Sequence, residues 1–412
     1  MKKIFAVILL LQLSGCSLIN IFKMRAENDD IQPLWQGEQQ QYVLDTKYIG
    51  VKPHVLISID GETQFLMLID TGLSFSMLFD TEKVRKKAFE RDYELPVFGW
   101  GNDESSVGYK TEVAEVNIGP VSVQNFSFAV VPVSQSHYFI SDQEMIFDGV
   151  IGNDFLKHFA WIFDYQAEQV TISNVSMVPS RESTVLLFET SSRKISIPVT
   201  LDFGNQQPDE IDVKVDTGSR HYLKINTAYV ESREIQLPAP LVEAADFGLS
   251  GKAAHQRFRL PKLSIGDLEL EGVKTNLIFA EDEDDLNVIG SALFAHYRVG
   301  IDYLNQTISF TPYSEQPFSS RFNLSGLELR EQIDGSFIVR NVANGFPTEG
   351  SPIAVGDVIE SMNDIPTSEI STSRWLDTAN TPGELKLCIR DKQCHSVVLQ
   401  PIPGFSTLLP TE

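Results

Sequence analysis

Phe65-Leu66-Met67-Leu68-Ile69-Asp70-Thr71-Gly72 decides how this chain is read. An apolar run ends in a carboxylate, and a carboxylate at the tip of an apolar strand is costly to leave without partners. The triplet returns as Asp216-Thr217-Gly218, after Ile211-Asp212-Val213-Lys214-Val215. Each copy has the same downstream companion, two apolar residues and a glycine: Val150-Ile151-Gly152, then Val288-Ile289-Gly290. A strand, an Asp and a hairpin follow each companion. In the first copy these are Trp161-Ile162-Phe163-Asp164-Tyr165 and Val170-Thr171-Ile172; in the second, Val299-Gly300-Ile301-Asp302-Tyr303 and Thr307-Ile308-Ser309-Phe310. A single Asp-Thr-Gly arises by chance among common residues. Two with matched surroundings make an internal repeat.

With these motifs in place, the chain resembles the retropepsin and pepsin clan of aspartic proteases over residues 46–315. The resemblance implies an all-β architecture of two tandem retropepsin-like β-barrel lobes, 46–180 and 181–316, forming a pseudo-dimer. It implies that Asp70 and Asp216 form one catalytic dyad. Thr71, Gly72, Ser74, Thr217, Gly218 and Ser219 would build the active-site loops, with the threonine hydroxyls bonding across the dyad. Gly72 would supply a positive φ. The chemistry needs no metal and no cofactor. Two positions depart from the family pattern. Leu73 stands where a small residue is usual. Arg220 stands where a short hydroxyl residue often supports the second aspartate, a place Ser74 fills in the first copy. An Arg220 facing the dyad would favour ionised Asp216 and make the pair asymmetric. His221 is expected at the surface.

Pro96-Val97-Phe98-Gly99-Trp100-Gly101-Asn102-Asp103 sets glycines around an aromatic, ahead of the spaced Val113, Val116 and Ile118. It reads either as a mobile flap over a cleft, with Trp100 and Gly101 at its tip, or as a plain surface hairpin. Gly248 and Gly251 hold the equivalent place in the second copy. The acidic run Glu281–Asp285 reads as a solvated loop, since it lacks the ligand spacing of a calcium loop.

Residues 320–402 form a third unit. Val355-Gly356-Asp357-Val358-Ile359 and Met362-Asn363-Asp364-Ile365-Pro366 resemble a PDZ domain of the kind attached to bacterial proteases, an α+β fold. Gly326 and Leu327 would lie in the loop whose backbone N–H groups hold a peptide C-terminus, with the peptide adding a strand. The bland alternative is a packing module that braces the second lobe.

At the other end, Lys2 and Lys3 precede the apolar Ile4–Leu11, a pattern of secretory signals. Leu13-Ser14-Gly15-Cys16 resembles a bacterial lipobox. It implies a signal peptide over 1–15, a lipid on Cys16, and a tether over 16–45. Ser17 resembles lipoproteins of the outer membrane, so the expected location is the cell envelope, facing the periplasm. Residues 403–412 read as a tail. Cys388 and Cys394 flank an expected hairpin turn and either pair or remain thiols.

The formal net charge is −23 over 412 residues, and losing Lys2 and Lys3 would take it to −25. That balance argues against nucleic acid and against electrostatic attraction to membranes. The expected partners are a polypeptide substrate, a peptide C-terminus at the PDZ-like unit, and a membrane through the lipid alone. The expected function is an aspartic endopeptidase. The competing reading is a non-catalytic peptide-binding scaffold lipoprotein of the envelope.

Overall fold

The repeat seen in the sequence reappears as a repeated strand order. The computed structural model describes residues 19–61, 64–101, 106–132, 145–283, 287–313 and 318–405 and is predominantly β. In the first half, Val121–Val131, Met77–Phe79, Gly149–Ile151, Gln64–Ile69, Lys52–Ile59 and Ser106–Ile118 are successive neighbours, and the last pairs back onto the first. In the second half, Leu268–Ile278, Leu223–Asn226, Val288–Gly290, Asp209–Asp216, Lys194–Asp202 and Gly251–Ile265 take the same order and close in the same way.

Alternation sets which face is inside. Val55, Ile57 and Ile59, with Phe65, Met67 and Ile69, are all 1% exposed or less. The strand carrying each triplet runs parallel to its apolar-apolar-Gly companion, Ile69 beside Ile151 and Asp216 beside Gly290. Glycine is required there by close approach. A Cβ at Gly152 would lie 2.9 Å from the carbonyl carbon of Phe75, and one at Gly290 would lie 2.5 Å from the Ser219 oxygen.

A six-stranded sheet joins the halves through Ala160–Asp164 and Tyr297–Asp302, antiparallel, with Ile162 opposite Gly300. One apolar core runs through both halves. The C-terminal unit has its own six-stranded sheet and its own core, including Leu327, Phe337, Trp375 and Leu387. Its helix Thr372–Ala379 is capped by Ser371, whose hydroxyl accepts from the Arg374 N–H. Cys388 and Cys394 are opposed on adjacent strands and joined by a disulfide.

The segment expected to be a tether is built into the fold. Residues 19–27 are helical, with Met24 buried. The Asn28 amide donates to Asp154 Oδ2 (2.6 Å) and the Ser127 carbonyl (2.9 Å), and accepts from the Ser127 N–H. Asp29 reaches Lys157 in the first half and Arg193 in the second. Leu34–Trp35 and Gln41–Val43 each add an edge strand. Polar composition misled here because each polar group has a fixed partner distant in sequence. Likewise Phe405, expected in a tail, is buried against Phe322. The signal region and Cys16 lie outside the described residues.

Candidate active site

Asp70 and Asp216 meet where the halves join. Asp70 follows, and Asp216 ends, a strand whose inward residues are locked in the core, so each carboxylate is delivered from a rigid support. The Gly72 N–H donates to Asp70 Oδ1 at 2.7 Å, and the Asp216 carboxyl lies close enough to act on Asp70 directly. The triplet glycines cross over: a Cβ at Gly72 would lie 2.6 Å from Asp216 Cγ, and one at Gly218 would lie 2.4 Å from Asp70 Cγ. Neither glycine adopts a positive φ. Close approach, rather than the expected left-handed turn, is what excludes a side chain.

The threonines interlock as the resemblance implied. The Thr71 N–H donates to Thr217 Oγ1 (3.1 Å), and the Thr217 N–H donates to Thr71 Oγ1 (3.0 Å). Each hydroxyl passes its own proton across the boundary, Thr71 to the Val215 carbonyl (2.7 Å) and Thr217 to the Ile69 carbonyl (2.8 Å). Both side chains are buried, so no donor or acceptor in this exchange is left to water.

A second layer escaped the sequence reading. The Asn153 amide donates to the carbonyls of Thr71 (2.6 Å) and Leu73 (3.0 Å), and Ser291 Oγ donates to the Thr217 carbonyl (2.6 Å). Asn153 and Ser291 each follow the glycine of an apolar-apolar-Gly motif. Each is met by a tyrosine from the opposite half, Asn153 by Tyr303 and Ser291 by Tyr165. The repeated Asp-Tyr pairs at 164–165 and 302–303 were the available signal.

Burial and the neighbouring Asp216 push the Asp70 carboxyl up to about 7, while Lys52 opposes that rise. Asp216 Oδ1 is buried and accepts no hydrogen bond among the described residues. Among the described residues no group of three or more His, Cys, Asp or Glu side chains is placed to hold a metal ion.

The remaining loop positions differ from expectation. Ser74 does not support Asp70; its hydroxyl donates to the Ser192 carbonyl at 2.9 Å. Arg220 runs past Gly50, its Cδ 3.4 Å from where a Gly50 Cβ would be, and makes no hydrogen bond or ion pair with Asp216. Leu73 packs with the apolar cluster that includes Phe75 and Leu249. His221 is buried rather than exposed. Its Nδ1 lies 2.5 Å from Ser219 Oγ and its Nε2 2.6 Å from Asp246 Oδ2. Sequence alone could not place it, because Asp246 belongs to the hairpin Val242–Gly248/Gly251–Ile265.

The four flap candidates come together. The Ser250 N–H donates to the Trp100 carbonyl (3.0 Å), and the Gly99 N–H donates to Ser250 Oγ (3.2 Å). A Cβ at Gly101 would strike the Ser250 carbonyl at 2.0 Å, and one at Gly248 would strike that of Trp100 at 2.2 Å. Gly251 follows Ser250 at the same contact. The Trp100 ring lies 6.1 Å from that of His221.

Residues 55–155 match the family model described as Aspartyl protease. The match contains Asp70-Thr71-Gly72 and its companion Val150-Ile151-Gly152, and it supports an aspartic protease role in general terms. No curated protein matches the chain.

Gly326 and Leu327 lie in the C-terminal unit, away from this constellation. Gly326 has φ +76° and lies under Phe346. The Leu327 N–H is already engaged, donating to Ser325 Oγ at 3.1 Å. The strand Leu327–Glu331 is at the edge of its sheet, as strand addition requires.

Proposed function

We propose that this chain is an aspartic endopeptidase whose two halves are retropepsin-like lobes in a pseudo-dimer, with Asp70 and Asp216 as the catalytic dyad. The observation that carries this reading is the reciprocal exchange between the loops. Each triplet's threonine and glycine are seated on the other triplet, so neither aspartate has its geometry without the other half.

Two half-buried carboxyls side by side hold one proton between them. The ionised carboxylate takes a proton from a water, whose oxygen attacks the peptide carbonyl carbon. The protonated carboxyl gives its proton to the carbonyl oxygen, forming a neutral tetrahedral diol. Proton return to nitrogen then lets the C–N bond break, releasing an amine and a carboxylic acid. Acid and base belong to the pair, not to fixed residues. Asp216 Oδ1, which meets no donor among the described residues, has lone-pair capacity for the water. The hairpins that meet through Trp100 and Ser250 would part to admit an extended polypeptide and close over it.

The C-terminal unit is read as PDZ-like, with its edge strand Leu327–Glu331 receiving a peptide. Because Ser325 occupies the Leu327 N–H, capture of a chain terminus there requires this loop to rearrange. Cys16 is read as the lipidated residue that holds the protein at the cell envelope.

The test is incubation of the protein with an unfolded protein mixture from acid to neutral pH, followed by mass spectrometry of the products. New internal cleavage sites are expected. A mixture left intact at every pH contradicts the proposal.

A further inference from the structure

The strands leading to the dyad put a lysine beside each aspartate. Lys52–Ile59 pairs antiparallel with Gln64–Ile69, with His54 facing Leu68. Continued by two residues, that register brings Lys52 opposite Asp70. Lys194–Asp202 pairs with Asp209–Asp216, with Ser196 facing Lys214. The same continuation brings Lys194 opposite Asp216. Directly opposed residues of antiparallel strands have Cβ atoms about 4.5–5.5 Å apart and side chains on one face. Each lysine also closes a tight turn, Ile49 facing Lys52 and Ser191 facing Lys194. The Ser192 carbonyl accepts from the Ser74 hydroxyl across the boundary, while the Gly50 carbonyl accepts from Ser373 Oγ of the C-terminal unit with the Arg220 side chain alongside. The lysines therefore follow the same half-to-half correspondence as the aspartates.

Charge in this cleft does not balance. A dyad sharing one proton carries a single negative charge. Below about pH 7 it faces two ammonium groups, neither ion-paired with a carboxylate among the described residues. A third, that of Lys224, lies 4.1 Å from the centroid of the Trp100 ring. Lys52 and Lys194 are half-buried and lie in the field of both aspartates; burial pushes both below the usual lysine range, Lys52 to about 7. With a net charge of −23 on the whole chain, the cation excess is local to this site. A poorly solvated ammonium is relieved by an incoming carboxylate, through a charge-assisted hydrogen bond.

We propose that Lys52 and Lys194 are carboxylate receptors, and that the cleft takes polypeptides with Asp or Glu side chains on both sides of the bond presented to the dyad. This rests on the dyad reading above. An extended chain crossing from one half to the other meets Lys52 on one side and Lys194 on the other, so the preference is two-sided.

The test uses two peptides that differ only in Asp or Asn at the positions flanking the scissile bond, each made also with a reduced, uncleavable amide. The ratio of kcat/KM for the Asp peptide over the Asn peptide is measured, together with the ratio of affinities for the reduced-amide pair. Wild type is expected to favour Asp by about tenfold or more for each lysine engaged. Lys52→Gln and Lys194→Gln should each lower the ratio, the double variant should bring it to about one, and Lys→Arg should retain it. Lys52→Glu/Lys194→Glu should reverse it in favour of a Lys-flanked peptide. A wild-type ratio of one or less, a ratio unchanged in the double variant, or no binding of either peptide overturns the proposal. The affinity arm needs no turnover. A protein that binds acidic peptides selectively but cleaves nothing supports this proposal and contradicts the protease reading. A protein that cleaves both peptides equally does the reverse.

Discussion

Gly218 of the second half is packed against the carboxylate of Asp70 in the first, so closely that a Cβ there would sit 2.4 Å from Asp70 Cγ. Each aspartate is thus positioned by the other half's glycine. Gly218→Ala and Gly72→Ala should cost about 100-fold in kcat with both carboxylates retained, since a displacement near 1 Å at reacting groups has that effect. Overpacking should also lower stability by about 1–3 kcal/mol. Steady-state kinetics and melting curves check both; wild-type turnover in either variant contradicts the packing argument.

The raised Asp70 carboxyl predicts a pH dependence of activity. The reacting dyad is singly ionised, and Asp70 titrates at about 7, so kcat should fall as pH rises through about 7. The same group acts on stability with a definite sign. Its folded value exceeds its unfolded one. Its contribution is therefore fully present below about 4 and is lost as pH rises to about 7. Asp70→Asn should be the more stable protein at pH 8, by a few kcal/mol in order of magnitude, with the gap closing toward pH 4. Unfolding at the two pH values measures it, and an equal gap at both contradicts it.

Buried and half-buried histidines act on stability in the opposite direction. Burial pushes His54 to about 3 and His158, His255 and His296 to about 4, and holds His221 well below its usual value. The unfolded chain takes up protons first, so stability should fall as pH drops below about 6.5, by up to about 1.4 kcal/mol per pH unit for each histidine. Denaturant titrations from pH 7.5 to 5 read the slope.

The neutral His221 ring links Ser219 of the loop to Asp246 of the hairpin. Burial works to raise Asp246, but the Arg257 charge and the hydrogen bond to the His221 ring help to outweigh it and hold Asp246 well below its usual value. His221→Ala should cost about 1–3 kcal/mol, the penalty for buried polar groups left unmatched. It should also raise amide exchange in Val242–Gly248. Unchanged exchange there would show that the ring does not couple loop to hairpin.

The C-terminal unit grips the same hairpin. The Arg340 guanidinium lies 4.3 Å from the Phe247 ring centroid, Lys252 donates to Asn341 at 2.7 Å, and Asn344 donates to Glu243 at 2.7 Å. Phe247→Leu removes the cation–π contact, worth about 0.5–2 kcal/mol. The hairpin tip should then exchange its amides faster. Protection equal to wild type would indicate that the unit does not restrain the hairpin.

The parts of this fold legible in the sequence were those in which one residue type answers one local demand. The triplets, the apolar-apolar-Gly companions and the alternating strands all belong to this class, and their duplication exposed the two halves. What stayed hidden depends on partners far along the chain. Asn28 looked like tether because its bonds go to Ser127 and Asp154. His221 looked exposed because Asp246 is reached only through the folded hairpin. Tyr165 and Tyr303 were visible as a repeat, but that each serves the opposite half follows from the joining sheet alone. Ser74 was read by analogy as a support of its aspartate and Arg220 only conditionally as facing the dyad; Ser74 instead bonds the Ser192 carbonyl, and Arg220 lies beside Gly50.

The most direct test is turnover of one cleaved peptide by wild type, Asp70→Asn and Asp216→Asn, each confirmed folded by its melting transition. Wild type is expected to cleave and each substitution alone to abolish cleavage, since one carboxyl cannot serve as both acid and base. Cleavage that persists in either folded variant would contradict a shared dyad.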